Sequence, residues 1–421
     1  NYTVWFAIIF FGYLQTQSVL VTSIMTGIYL VATAITGFWF GELVDKRKKK
    51  FLLLASGIFS LVMYSICFII YLIVGADAFK DVSNPVLWIF IIVLLAGVIA
   101  GNIRTIVLPV LVDKDKLDKA NGLVGTAGGI AFLIVSVISG FLVGLGGMYW
   151  VLILAIILIL VSTAQLWFIQ IPEREIIHTE NEEKQNKRID IKGTLKVISD
   201  IPGLRSLILF TTINNFLGGV YMSLLDAYGL SLVSVQVWGV LWGLLSCAFI
   251  VGGIIIAKKG LGKNPLKTIF MVNILIWIVS SLFTIQQSIV LLMVGMFIYL
   301  MFGPFIEAAE HTVIQKVVPQ ERLGRVFGFA QSIEQTASPI TAFAIGPITQ
   351  LIFIPLMTTG EGARLIGNWY GIGPSRGIAL VFTITGLIGL LVTIIAYRSK
   401  FYTQLSKRYL ESKNKVNENL E

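Results

Sequence analysis

Long uninterrupted apolar runs constrain this chain more than any other feature. They repeatedly exceed about 18 residues, the length at which a helix rising ~1.5 Å per residue begins to cross the hydrocarbon of a bilayer. A soluble protein with several buried cores would show polar faces at helical period instead. With 56% of its residues hydrophobic and 13% charged, the average residue prefers hydrocarbon to water. The chain therefore reads as an all-α membrane protein. Helices are expected near 19–43, 51–74, 86–111, 119–145, 148–171, 205–231, 236–257, 266–285, 288–316, 324–356 and 376–398. A shorter apolar run from Tyr2 to about Tyr13 precedes them and reads as a truncated first helix, which brings the count to twelve.

Lys and Arg orient these spans, because cytoplasmic connections carry an excess of both. They gather at Lys46-Arg47-Lys48-Lys49-Lys50, at Lys114, Lys116 and Lys119, at Lys258, Lys259, Lys263 and Lys267, and at Lys316, Arg322 and Arg325. Each cluster follows an even-numbered helix. The odd connections are poor in both residues, so loops 2–3, 4–5, 6–7, 8–9 and 10–11 and the C-terminus are placed in the cytoplasm. The net charge of +9 is thus a topology signal rather than a nucleic-acid footprint. Two polar segments divide the chain. A six-helix bundle over 1–171, a cytoplasmic linker over 172–204, a second bundle over 205–398 and a polar tail over 399–421 are expected.

The halves share a repeat. Val112-Asp-Lys-Asp115-Lys116-Leu117-Asp-Lys119-Ala-Asn-Gly122 matches Val318-Pro-Gln-Glu321-Arg322-Leu323-Gly-Arg325-Val-Phe-Gly328 at an offset of 206, with acid, base, Leu, base and Gly in step. Duplicated six-helix halves are a common transporter architecture.

Between helices 2 and 3, Gly41-Glu-Leu43-Val-Asp45-Lys46-Arg47-Lys-Lys49-Lys50 resembles the signature loop of the major facilitator superfamily: Gly, an apolar residue, Asp, then a basic cluster. The run Leu323-Gly324-Arg325-Val326-Phe327 and the helix 4–5 connection are similar to the branch of macrolide-efflux and drug:proton antiporters. The resemblance implies two six-helix bundles rocking about a central cavity and proton-coupled export of a small amphipathic or lipophilic compound. It implies a monomer powered by the proton gradient, without a cofactor, in a bacterial plasma membrane. Gly41, Asp45, Lys46 and Arg47 would form the gate loop, with Asp45 meeting Arg325 and a helix N-terminus. Three departures bear on the antiporter activity more than on the fold: Lys48 replaces a Gly, Val93 stands where an Arg is usual, and Ser136 where a Pro is usual.

A charge inside a span costs about 2.5–3.5 kcal/mol on insertion scales, so each one is a functional candidate. Glu334 lies ten residues into helix 11, ~15 Å from its start and near the midplane, and is the first choice for a proton or cation. Asp226, late in helix 7, either binds substrate in an outer vestibule or snorkels to water. Glu307, Glu310 and His311 share one face of helix 10, as a proton relay or as an ordinary polar helix end. Arg104 either neutralises Glu307 or Glu334 or receives an anionic substrate group.

Gly125, Gly129, Gly140 and Gly144 on helix 5 have the four-residue spacing of close helix packing. Pro339 and Pro347 interrupt helix 11, and Pro109 lies near the end of helix 4. Phe216, Tyr221 and Trp238 either line an apolar cavity or belong to the interfacial aromatic belt. Cys67 and Cys247 sit in apolar runs with no metal-ligand spacing, and His178 and His311 lie in or near cytoplasmic connections, so neither a metal site nor a membrane enzyme is expected. The partners expected are a small-molecule substrate and membrane lipid. A lipid or lysolipid flippase, or a nutrient permease, is the alternative on the same scaffold; a flippase would want basic residues for a headgroup, and Arg104 is the clear one within the spans.

Overall fold

Backbone N–H and C=O groups inside a bilayer must find partners within the protein, and the helix satisfies them segment by segment. The computed structural model describes residues 1–104, 107, 117–169 and 191–418 and realises this solution. Its principal helices are α1 (Tyr2–Thr16), α2 (Val19–Lys46), α3 (Lys49–Val74), α4 (Pro85–Ala100), α5 (Leu117–Gly146) and α6 (Met148–Phe168), followed by α7 (Leu204–Leu232), α8 (Val235–Lys259), α9 (Pro265–Leu282), α10 (Ile289–Val317), α11 (Gln320–Ile348) and α12 (Pro374–Tyr397). Ten helical segments among the described residues are long and apolar enough to cross a membrane, while α1 and α4 are shorter apolar helices.

Local chemistry sets the ends. The Asn84 side chain accepts from the Val86 N–H with Pro85 in the first turn, and Asn264 accepts from Lys267 with Pro265 likewise. Ser288 caps α10 through the Leu291 N–H. Between α5 and α6 a single residue, Gly147, turns the chain at φ 59°, and a Cβ there would stand 2.8 Å from the Tyr71 hydroxyl. Glycine supplies both the backbone conformation and the space.

By backbone contact the chain forms two compact units, Asn1–His178 with Ser223–Ser246, and Thr179–Met222 with Cys247–Glu421. The end of α7 and the start of α8 thus group with the N-terminal helices. In the first unit α3 packs on α4 and α6, and α1 on α5. Phe11, Tyr71, Phe79 and Phe90 form an aromatic cluster there, with Phe79 and Phe90 centroids 4.7 Å apart. In the second unit α9 packs on α10 and α12. Tyr221 stacks on Phe382 at 5.0 Å, and its hydroxyl donates to the Phe382 carbonyl. The outward faces are apolar: Ile66, Ile69, Leu72 and Ile73 on α3 and Leu387, Leu391 and Ile395 on α12 are exposed. Such faces suit lipid rather than water.

Helix packing uses small residues. A Cβ on Gly140 would stand 2.6 Å from the Val235 carbonyl oxygen, and one on Gly239 would stand 2.5 Å from that of Ser136, so α5 and the start of α8 approach backbone to backbone. Ser136, where a Pro is usual in the resembling family, therefore lies in this contact. Gly144 meets the Gln236 side chain, whereas Gly129 has open space.

One expected element needs correction and three gain detail. Helix 4 stops as a regular helix at Ala100 and turns at Gly101-Asn102 before Ile103 and Arg104 resume it. Helix 11 covers its expected range as one span, Arg322–Thr358, and takes a π-helical turn over Thr349–Phe353 before Ile354–Thr358. The second part of the linker is a helix, Ile191–Asp200, packed on α11, and Ile198 and Ile201 belong to a buried cluster with Leu207, Leu266 and Val313. The tail is likewise a helix, Lys400–Glu418, with Leu405 and Tyr409 buried in the same cluster. Both segments are polar on average but carry one apolar face at helical spacing, which an average hides. Residues 108–116 and 170–190, with Pro109, the first five residues of the first repeat copy and His178, lie outside the described residues.

Candidate functional site

Three helices of the second unit carry polar residues at helical period along one face. On α7 these are Thr211, Asn214 and Asn215, continuing to Gly218; on α10, Tyr299, Glu307, Glu310 and His311; on α11, Gln331, Glu334, Gln335 and Ser338. The faces meet around a cavity of about 490 Å³, closed on α9 by Asn273 and Trp277. Spacing i, i+3, i+4, i+7 puts each set on one stripe, so tertiary packing brings three stripes together.

The wall between α7 and α11 is fixed by close approach. A Cβ on Gly219 would stand 2.9 Å from the Ser338 carbonyl oxygen. Next to it the Ser338 hydroxyl donates to the Asn215 carbonyl at 3.1 Å, and Thr341 donates to the Phe216 carbonyl at 2.6 Å. Further along the crossing, Thr211 donates to Glu334 Oε1 at 2.7 Å. The Asn214 side chain is held from both ends, donating to the Phe210 carbonyl and accepting from the Trp277 indole N–H at 2.8 Å. Pro304 and Pro339 have no N–H for the carbonyls of Leu300 and Gln335, one helical turn earlier, and both of those residues line the cavity.

Glu334 is half-buried in this wall, and Glu310 stands behind it as its neighbour, close enough for a hydrogen bond between the two carboxyl groups. Glu310 is 7% exposed, and its Oε1 has no hydrogen-bond partner among the described residues. Two adjacent carboxylates repel in a medium of low dielectric unless a proton sits between them. Glu307 is exposed to the cavity, and His311 lines it with its ring against Phe327, centroids 4.6 Å apart. Glu334, Glu307 and His311 are thus brought to one cavity with Glu310 at its back. No Lys or Arg is found among the described residues that line it.

The other candidates lie elsewhere. Asp226 neither faces a vestibule nor snorkels: it is 8% exposed and accepts from the indole N–H groups of Trp238 and Trp242 at 2.8 and 2.7 Å. Trp238 is fully buried in making that contact and Tyr221 is a core residue, whereas Phe216 borders an apolar cavity with Ile333 and Ile340. Arg104, half-buried in the first unit, has an Nε without a hydrogen-bond partner among the described residues. Arg47 is exposed at the end of α2 and Arg325 on α11, while the side chains of Gly41, Asp45 and Lys46 in the signature loop lie outside the described ones. Sequence reasoning passed over Thr211, Asn214, Asn215, Asn273, Gln331 and Gln335, although a tally of polar stripes within spans would have found the α7 and α11 members.

The fold and the cavity define a multi-pass helical membrane protein with an acid-bearing polar chamber between its helices. The chain belongs to the Major Facilitator Superfamily, whose model matches residues 1–342. Solved structures of the same fold include a bacterial homologue of the human lysosomal transporter Spinster in an inward-facing, occupied conformation, at TM-score 0.64 and 14% identity over 97% of this chain and 96% of that one. A bacterial homologue of the iron transporter ferroportin matches at TM-score 0.64 and 13% identity, covering 94% and 95%. A D-xylose–proton symporter matches at TM-score 0.62 and 12% identity, covering 94% and 96%. Similarity at this level is one of fold. A comparison with curated protein sequences finds no match.

Proposed function

We propose that the protein is a proton-coupled secondary transporter that exports a small amphipathic, cationic or neutral compound across the plasma membrane. The observation that carries this reading is Glu334, set in the wall of the amide-lined cavity with a hydroxyl donor, Thr211, on one side and a second carboxyl, Glu310, behind it. A carboxyl pair that holds one proton when closed to water, and gives it up when substrate or water enters, is a coupling device. The cavity's carboxylates favour a positive or neutral guest over an anion, since no Lys or Arg is found among its described lining residues. That electrostatic sign argues against the flippase alternative, which needs a cationic seat for a phosphate headgroup. Trp277 and Phe249 supply the apolar contact an amphipathic molecule requires.

The test is accumulation of lipophilic cationic dyes and antibiotics in cells expressing the protein, with and without a protonophore, alongside Glu334→Gln. Exclusion that collapses with the protonophore and with Glu334→Gln, while the variant reaches the membrane at normal level, is the expected result. Equal accumulation in expressing and control cells for every compound, or full activity of Glu334→Gln, would overturn the reading.

A further inference from the structure

A second cavity, of about 470 Å³, lies in the first unit between the second half of α2 and the facing parts of α3 and α4. Its chemistry is the opposite of the first. Trp39, Phe40 and Leu43 of α2, Leu52 and Phe59 of α3 and Ile99 of α4 line it, and it contains no charged side chain among the described residues. Trp39 is 58% exposed and Phe59 46%, so the groove is open on its aromatic side. Along α2 its lining runs from Ala32 to Leu43, ~16 Å at the helical rise, about half the ~30 Å hydrocarbon thickness and hence the reach of one acyl chain.

The groove ends at the basic run. Leu43 is four residues before Arg47, and Leu52 three residues after Lys49, so the mouth lies within about one helical turn of Arg47, Lys48 and Lys49. Arg47 and Lys48 are exposed and Lys49 is half-buried, while Lys50 donates to the Trp167 carbonyl at 2.9 Å and fastens the run to the end of α6. Five basic residues, 46–50, outnumber the two acids before them, Glu42 and Asp45. An acyl-sized apolar slot capped by net positive charge is complementary to a molecule with a hydrocarbon tail and an anionic head.

We infer that this groove is a binding site for an anionic phospholipid, one acyl chain lying between α2, α3 and α4 and the phosphate seated on Arg47, Lys48 and Lys49. The site is separate from the acid-bearing cavity and does not depend on which solute is transported. A lipid held there would occupy the space beside the second half of α2.

The purified full-length protein, in phosphatidylcholine nanodiscs doped with phosphatidylglycerol carrying a diazirine in its acyl chain, tests the inference by photolabelling and peptide mapping. Adducts should concentrate in peptides containing 32–43, 52–59 and 96–103. Unlabelled phosphatidylglycerol should compete, and phosphatidylcholine should not. Removing Lys48 and Lys49 charge with Gln should weaken the preference for the anionic lipid about fivefold per lysine. Filling the groove with Ala96→Trp should abolish the adducts at unchanged melting temperature. Uniform labelling of all lipid-facing helices would reduce the groove to ordinary annular contact and overturn the site. Equal competition by phosphatidylcholine would overturn its anionic character, and displacement by cationic dyes but not by lipid would make it a solute site instead. The first two comparisons use the unmodified protein, so they stand even if a variant misfolds.

Discussion

Arg376 shows how a charge can be structural in a chain where charges invite functional readings. It is fully buried at the start of α12, its Nε donating to the Tyr370 carbonyl and one terminal nitrogen donating to the carbonyls of Thr284 and Ile285 at 2.9 Å each. Its guanidinium carbon lies 4.3 Å from the Tyr370 ring centroid. Three helix-end and loop carbonyls therefore share one donor fork, which ties the segment before α12 to the end of α9. Lys has no planar fork and cannot reproduce this arrangement. Arg376→Lys should cost on the order of 3 kcal/mol and lower the melting temperature of the detergent-solubilised protein by roughly 3 °C. An unchanged melting curve would show that these hydrogen bonds contribute nothing net. Asp226 is its acidic counterpart: two indole N–H groups satisfy it, and the cluster continues through Trp242 to Phe6 and Phe132, with centroids 6.0 Å from each.

At the scale of elements, the contact of α5 with the start of α8 depends on what is missing from it. Ser136, Gly140 and Gly144 recur every four residues: Ser136 and Gly140 meet Gly239, and Gly144 meets Gln236, while Gly243 one turn on stands against Leu133 and Val137. The atoms that a new Cβ would strike at Gly140 and Gly239 belong to backbone, which cannot rotate aside. Gly239→Val should therefore force the helices apart and cost about 1–3 kcal/mol of overpacking, read as a lower melting temperature and a lower yield of monodisperse protein. Gly253→Ala is the control, because a Cβ there meets nothing within 4 Å and the position is an ordinary helical one, so it should be neutral or mildly stabilising. Equal behaviour of the two variants would remove the close-packing argument. The small-residue spacing on helix 5 was legible in the sequence; its partner on α8 was not, because spacing names a face but not what the face meets.

For the whole molecule, membrane topology turns on α4. Its 16 residues rise ~24 Å, short of the ~30 Å hydrocarbon, and Ile103 and Arg104 resume the helix after the turn at Gly101-Asn102. If α4 crosses, Lys48, Lys263 and Lys407 share one face of the membrane, and Lys80 and Arg364 share the other. Single cysteines at these five exposed positions, in a background lacking Cys67 and Cys247, should show it. An impermeant maleimide added to intact cells should label Lys80→Cys and Arg364→Cys and leave the other three unlabelled. Labelling of Lys263→Cys from outside would mean that one span between Lys80 and Lys263 does not cross.

Read along the chain, the apolar runs determine the helices, because in a bilayer each backbone polar group must be satisfied within its own segment and length alone decides what can cross. Chemistry at segment ends was equally legible: Asn84-Pro85, Asn264-Pro265 and the basic run after α2 announce themselves locally. Glu334 stood out because an ionisable group in hydrocarbon is costly wherever it is placed. What surrounds it is a different matter. That Thr211 donates to it, that Glu310 backs it, and that Asn214 is held by Trp277 depend on how α7, α9, α10 and α11 cross, and those crossings are set by small residues such as Gly219 whose partners lie over a hundred positions away. Asp226 and Glu334 are both acids within a span, and the sequence cannot tell them apart. Only the tertiary structure wraps one in indole N–H groups and opens the other to a cavity, because burial is a property of neighbours and not of the residue itself.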